Sequence, residues 1–280
     1  MNEKPLTRHA LDQGRGGLLE YVSPSRLNLW LRCPLAFRLK YVDGVPRPTS
    51  EGLFLGKMVH RLLEHYYRHR QLGITLDPAA LLGCLETLWD QAVEGEDVAF
   101  DASAHAQALK RQAADLVRAY LAQLPQDEPP PLAVERLMEA PLVDPVTGRA
   151  LEVPLVGIVD LVSEAREGPL IVDFKTAARS TAPLEISHEI QLTSYAWLFQ
   201  HEFARPESAL EIRTLAKTKV PQVHVHRYAA RTEAHFRRLV AAVRAYLDDV
   251  DRGQFCFRPG LGCSFCDYRE DHCRRWPGSP

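Results

Sequence analysis

Asp173 and Lys175 stand two positions apart at the end of the run LIVDFKT, residues 170–176. Alternation along a strand places both on one face and sends Phe174 to the other. Charges at the end of an apolar strand are paired or bind something, because an isolated buried charge is costly. For a lone Asp-x-Lys, a surface ion pair is the plainest reading. Asp160 changes that reading: it ends GIVD, predicted as a strand end, and LVSEAREGP between the two acids suits a hairpin connection. Antiparallel strands would then bring Asp160 and Asp173 together, and like carboxylates repel unless a cation compensates them. Hard oxygen ligands suit Mg²⁺ or Mn²⁺. Such an ion could activate water and neutralise charge on a phosphate under attack. Lys175 would orient that water or stabilise the developing charge.

A second group of residues speaks of a different chemistry. GLGCSFCDYREDHCRRWP carries Cys263, Cys266 and Cys273 as C-x₂-C-x₆-C. A structural zinc or a [4Fe–4S] cluster takes four thiolates, so one is missing from this stretch. Cys256 is the nearest in sequence. Spacing alone does not separate zinc from iron–sulfur.

The elements that must position these residues follow from periodicity. SPSRLNLWLRCPLAFRLKYV opens with Ser23 as N-cap and Pro24 in the first turn, and Pro34 interrupts it after Cys33. A helix is predicted over 53–70, with Phe54, Met58, Leu62 and Tyr66 on one side and Val59, Leu63 and Tyr67 beside them. Two more are predicted over 78–94 and 103–124, and PQDEPPP closes that helical section. Strands are expected at 132–143 and 151–164, joined through DPVTGR, and a third at 169–176. A helix over 184–203, strands near 209–217 and 222–229, and a long helix over 231–253 complete the chain. Helices followed by β-β-β-α-β-β predict an α/β core wrapped by helices.

Composition bounds the partners. With 280 residues, 31.6 kDa and a formal net charge of −2, the chain reads as one large domain and not as a purely electrostatic DNA binder. Residues 1–20 read as a loosely held lead-in. No apolar run reaches membrane-spanning length and no signal-peptide core is evident, so the expected location is cytoplasmic, with no membrane partner. In that compartment six cysteines favour metal or cluster ligation over disulfides.

GIVD, DFK twelve residues further on, and QLTSY together resemble the PD-(D/E)XK nuclease superfamily. The likeness is to its RecB-like exonuclease branch, which includes CRISPR-associated RecB-like nucleases and AddB-type nuclease domains. It implies a restriction-endonuclease-like mixed sheet core flanked by helices, with an added N-terminal helical section and a C-terminus stapled by an iron–sulfur cluster. Residues 21–280 would form a single domain: helical section about 53–124, catalytic core about 132–230, C-terminal helix and cysteines about 231–276. VD stands here where the family more often has PD. The resemblance makes Asp160, Asp173 and the Phe174 carbonyl ligands of Mg²⁺ or Mn²⁺, with Lys175 supporting catalysis.

GKMVHRLLEHYY resembles the branch's Gly-x-x-x-His helix and implies His60 as a further metal ligand. Glu64, one turn on, either orients His60 or only solvates the helix, and His65 and His69 read as surface residues. Gln191 and Tyr195 match the Q-x-x-x-Y pair beside the catalytic centre. In LAKTKVPQV, Lys217 and Lys219 could meet DNA phosphates. Glu135 in AVERLM matches a frequent acid of the branch but is left outside the ligand set. For the cluster the family pattern is one N-terminal cysteine in S…C-P-x-x-F/Y plus three near the C-terminus. It implies a [4Fe–4S] cluster on Cys33, Cys263, Cys266 and Cys273, leaving Cys256 and Cys84 as ordinary thiols. The expected function is metal-dependent hydrolysis of DNA phosphodiester bonds, on single strands or DNA ends, in repair, recombination or mobile-element defence. A CRISPR adaptation nuclease trimming spacer precursors and a non-catalytic DNA-binding scaffold are the alternatives, and a helicase or a CRISPR adaptation protein is the expected kind of partner besides DNA.

Overall fold

The computed structural model describes residues 17–95, 98, 100, 103–178 and 185–278. Most of the expected lead-in, residues 1–16, lies outside them. The chain joins the fold at Val22, which makes a parallel bridge to Leu155. Ser23 caps α1 (Pro24–Arg32) by accepting the Arg26 N–H, and Pro24 opens the helix. Pro34 offers no amide hydrogen to a continuing helix, so Cys33 is extended and the chain restarts as α2 (Pro34–Tyr41). Ser50 caps α3 (Glu51–Gln71), and the double stripe of apolar residues expected on this helix is buried. The single helix expected over 78–94 is two, α4 (Pro78–Gly83) and α5 (Leu85–Gly95), separated at Cys84. Gly83 sits at the break, where its poor helix propensity weakens continuation. α6 (Ser103–Leu121) ends the helical section.

Five strands follow: β1 (Pro131–Val143), β2 (Ala150–Ala165), β3 (Gly168–Ala177), β4 (Ala209–Ala216) and β5 (Gln222–Ala229). They lie in one sheet in the order β1-β2-β3-β4-β5. Only β3 and β4 are parallel, and the crossover between them is α7 (Glu185–Phe203). α8 (Glu233–Asp251) and two short 3₁₀ turns, Leu261–Phe265 and Cys273–Arg275, complete the described chain.

Each face of the sheet has its own core. On one face Ile171, Leu210 and Ile212 pack against Leu27 and Trp30 of α1, Leu198 of α7 and Val243 of α8. On the other, Val172, Phe174 and Leu215 meet α3, α5 and α6. Gly157 makes room for the first packing: a Cβ there would stand 2.8 Å from Leu198 Cδ1, so the Leu198 side chain would have to shift. Among the described residues no helix is long and apolar enough to cross a membrane.

Candidate metal centre

Because β3 belongs to the sheet interior, alternation sends Phe174 into the α3–α6 core and Asp173 and Lys175 to the α7 side. Lys175 Nζ lies 2.7 Å from Asp173 Oδ2, an ionic contact in which that oxygen makes no aligned hydrogen bond. Gln191 Nε2 donates to Asp173 Oδ1 at 3.1 Å and to the Tyr195 hydroxyl oxygen at 2.9 Å. One helical turn on α7 therefore aims Gln191 at Asp173 and lets Tyr195 steady it. Burial pushes the Asp173 carboxyl above its ordinary range; Lys175 opposes that and the nearby Asp160 adds to it.

The β2–β3 ladder runs to the Leu161–Val172 pair, and one residue further Asp160 and Asp173 stand across from each other. There the Phe174 N–H donates to Asp160 Oδ2 at 2.9 Å. Asp160 is not at a strand end: in keeping with the strand expected over 151–164 it lies inside β2, which stays paired with β1 as far as Ser163. That continuation brings in a residue left outside the expected ligand set. Glu135 falls between the Val134–Leu161 and Arg136–Val159 pairs, opposite Asp160. Its φ of 43° lies in the left-handed region, a strained conformation for a side chain of this size and one that collects at functional sites.

His60 reaches the same point from the other face of the sheet. Its Nδ1 is 3.5 Å from Asp160 Oδ2 and 3.8 Å from Glu135 Oε1. Ligand atoms of His60, Glu135 and Asp160 all lie within 4.8 Å of one another. One imidazole and two carboxylates fit a divalent cation of the Mg²⁺ or Mn²⁺ kind, and Asp173 stands beside them. Gly56, a turn before His60, makes the approach feasible: a Cβ there would be 3.0 Å from Thr176 Oγ1 at the end of β3. Glu64, the other candidate on this helix, pairs with Arg68 at 2.8 Å.

Lys217 and Lys219, expected to meet phosphates, follow β4. The Lys217 N–H donates to the Ala177 carbonyl at 2.7 Å, just beyond the Asp173–Lys175 end of β3, and its ammonium neighbours Gly52 in the first turn of α3. Lys219 is exposed in the turn before β5. His188, which the sequence reading passed over, is half-buried on α7 at positions shared with Gln191 and Tyr195. Burial first, and the Lys175 charge second, hold its imidazole below the usual histidine range. The i, i+3, i+7 spacing on α7 was the available signal.

Outside this centre, Cys33, Cys263, Cys266 and Cys273 line one cavity of about 510 Å³ between the start of α2 and the C-terminal turns. Burial pushes the Cys273 thiol up, and the other three cysteines add to the shift. Cys256 is exposed and outside the lining, and Cys84 lies at the α4–α5 break with its thiol toward the Ala80 carbonyl. Thiols are the donor type of an iron–sulfur group or a zinc ion, but these sulfurs are not drawn within 4.8 Å of one another, as the ligand atoms of the His60 group are.

The model of one family, the PD-(D/E)XK nuclease superfamily, matches residues 21–274. Among solved structures, a protein from Eubacterium rectale provisionally named an exonuclease is 15% identical, with TM-score 0.55. That alignment covers 93% of this chain and 90% of that one. The structure of SSO0001 is 14% identical over 91% of this chain and 86% of that one, with TM-score 0.43. No curated protein matches the chain by sequence. The first likeness bears on the fold alone, a five-stranded mixed sheet flanked by helices of the restriction-endonuclease-like kind.

Proposed function

Since the chain belongs to the PD-(D/E)XK nuclease superfamily, whose members are metal-dependent nucleases, we propose that it is a RecB-like DNase acting on single-stranded DNA or DNA ends. The observation that carries the reading is the meeting of His60, Glu135 and Asp160 beside the Asp173–Lys175 pair. The branch assignment draws on the Gly56–His60 helix, the Gln191–Tyr195 pair and the four gathered cysteines.

His60, Glu135, Asp160, Asp173 and the Phe174 carbonyl are the groups that would hold Mg²⁺ or Mn²⁺. When bound, the ion supplies positive charge against the phosphate and lowers the pKa of a water molecule. The residues of the chain do the rest. Gln191 and Lys175 grip one oxygen each of Asp173 and so hold its carboxylate in place. Lys175, one-third exposed at its side chain, is the cation free to turn from Asp173 toward a water or phosphate oxygen. Asp160 is tied to β3 through the Phe174 N–H, so two ligand-bearing strands move as one. Lys217 and Lys219 offer phosphate contacts at the same end of the sheet. The reading as a non-catalytic scaffold finds no support in the residues, because neither acid nor the lysine is missing.

Cys33, Cys263, Cys266 and Cys273 would hold a [4Fe–4S] cluster that ties α2 to the C-terminal turns. Its contribution is structural. The cavity they line includes none of His60, Glu135, Asp160, Asp173 or Lys175.

End-labelled single- and double-stranded DNA, incubated with Mg²⁺, Mn²⁺ or EDTA, tests the activity. Wild type should cut only with metal, and Asp173→Ala and Lys175→Ala should each lose about 10²–10³-fold in rate. Wild-type rates in purified Asp173→Ala would refute the site, and no cleavage of either substrate with either metal would refute the function.

A further inference from the structure

Beneath the catalytic strand lies a buried polar network that no step of hydrolysis uses. Glu128, in the linker after α6, is buried and accepts from the Tyr67 hydroxyl at 2.9 Å, Arg70 Nη1 at 2.9 Å and Arg213 Nη1 at 3.2 Å. Arg213 Nη1 also donates to the Tyr120 oxygen at 2.7 Å, and its Nε to Glu211 at 3.0 Å. The Tyr67 and Tyr120 oxygens are 2.5 Å apart. Tyr67 uses its one proton on Glu128, so Tyr120 is the donor between them. Burial raises the Tyr67 hydroxyl well above its usual range and Tyr120 to about 12, which keeps both protonated.

Such a network is a poor source of stability, since buried ions give up hydration that their pairing only partly returns. Its placement suggests another use. Arg213 is the residue of β4 registered beside Phe174 of β3. The Phe174 ring stacks on Tyr67 with centroids 6.0 Å apart and meets Tyr120 edge-on at 5.5 Å and His60 edge-on at 6.2 Å. Tyr67 lies two turns from His60 on the same face of α3, and Arg70 one turn further. The chain of contacts thus closes a circuit: His60 on α3, Tyr67 and Arg70 on the same helix, Glu128, Arg213 on β4, Phe174 on β3, and back to the metal centre.

We propose that Tyr67, Tyr120, Glu128 and Arg213 are positioning residues that set the metal affinity of the centre by locking α3, which carries His60, to β4, the sheet neighbour of the strand that carries Asp173 and Phe174. This rests on the metal-centre reading above. Helix α3 and the sheet contribute ligands from opposite sides, so their spacing decides whether His60 and the carboxylates reach one ion together. Loss of a single hydroxyl leaves the aromatic packing on Phe174 in place but opens the lock.

The test is Mn²⁺ binding by titration calorimetry and EPR, with cleavage followed as a function of Mn²⁺ concentration. Tyr67→Phe and Tyr120→Phe should bind Mn²⁺ about 10-fold more weakly, the lower end of the loss expected when groups supporting metal ligands are removed. Their cleavage rate at saturating Mn²⁺ should return to near that of wild type, which a general loss of folded protein would not do. Arg68→Ala, on the outer side of α3, should bind as wild type does. Arg213→Met should lose more than either tyrosine variant; if it fails to fold, the two tyrosine variants decide. Unchanged Mn²⁺ affinity in folded Tyr67→Phe and Tyr120→Phe overturns the proposal. Wild type that binds no Mn²⁺ overturns the metal-centre reading itself, a separate result from equal binding by wild type and variants.

Discussion

Gly56→Ala sets two effects of a single methyl group against each other. Alanine is the better helix former, by about 1 kcal/mol within a helix such as α3. Against this, the new Cβ would stand 3.0 Å from Thr176 Oγ1, so helix or strand must give by a few tenths of an ångström. Overpacking of this kind costs about 1–3 kcal/mol. The net expectation is a destabilisation of about 0–2 kcal/mol, or up to about 4–8 °C in Tm. The larger consequence is at the centre, because His60 is one turn along the same helix and only 3.5 Å from Asp160. Retreat of α3 carries His60 away from both carboxylates, and a loss of about 10-fold in cleavage rate at limiting Mg²⁺ should follow, since sub-ångström placement matters this much. Thr176→Ala removes the obstructing oxygen. The double variant should therefore recover both Tm and rate, and the coupling between the two sites is read from the four-member cycle. If Gly56→Ala is more stable than wild type and cuts at the wild-type rate at limiting metal, the close approach does not govern the centre and the reasoning fails.

Two further outcomes follow from the same geometry. Burial holds the Asp173 carboxyl above its unfolded value, so the folded metal-free chain keeps a proton that the unfolded chain has released. Its stability should then fall as pH rises from about 4 toward the raised folded pKa, and Asp173→Asn should flatten that fall; melting curves across pH in EDTA check this. Anaerobically purified protein should carry about four iron atoms per chain. Cys33→Ala should lose them, with a destabilisation of roughly 5 kcal/mol from the released chain closure, whereas Cys256→Ala and Cys84→Ala keep them. Zinc in place of iron, or iron lost from Cys256→Ala and kept in Cys33→Ala, would reverse the assignment.

Much of this protein was legible one residue at a time. Alternation in residues 169–176 identified a strand with Asp173 and Lys175 on one face, and the helical stripe of α3 was visible in Phe54, Met58, Leu62 and Tyr66. Ser23, Pro24 and Pro34 marked the bounds of the first two helices, because capping and the missing proline amide act within a turn. The break at Cys84 escaped, as a single glycine among good helix formers lowers propensity without forcing an end. These are local forces, and local sequence reports them.

What only the tertiary structure decided depends on register and on distance along the chain. Glu135 is opposite Asp160 because β1 and β2 pair with one particular offset, and a shift of one residue would turn it to the other face. Glu64 was equally suited to His60 or to solvent, and in the fold it pairs with Arg68. Cys33 and Cys263 are 230 residues apart, so their meeting in one cavity is a product of the whole fold. Tyr67, Tyr120, Glu128 and Arg213 carry no motif at all; each is ordinary in its own segment. They become a network only when α3, α6 and β4 pack together, because a buried hydrogen bond requires partners brought to within about 3 Å, a condition that packing alone imposes.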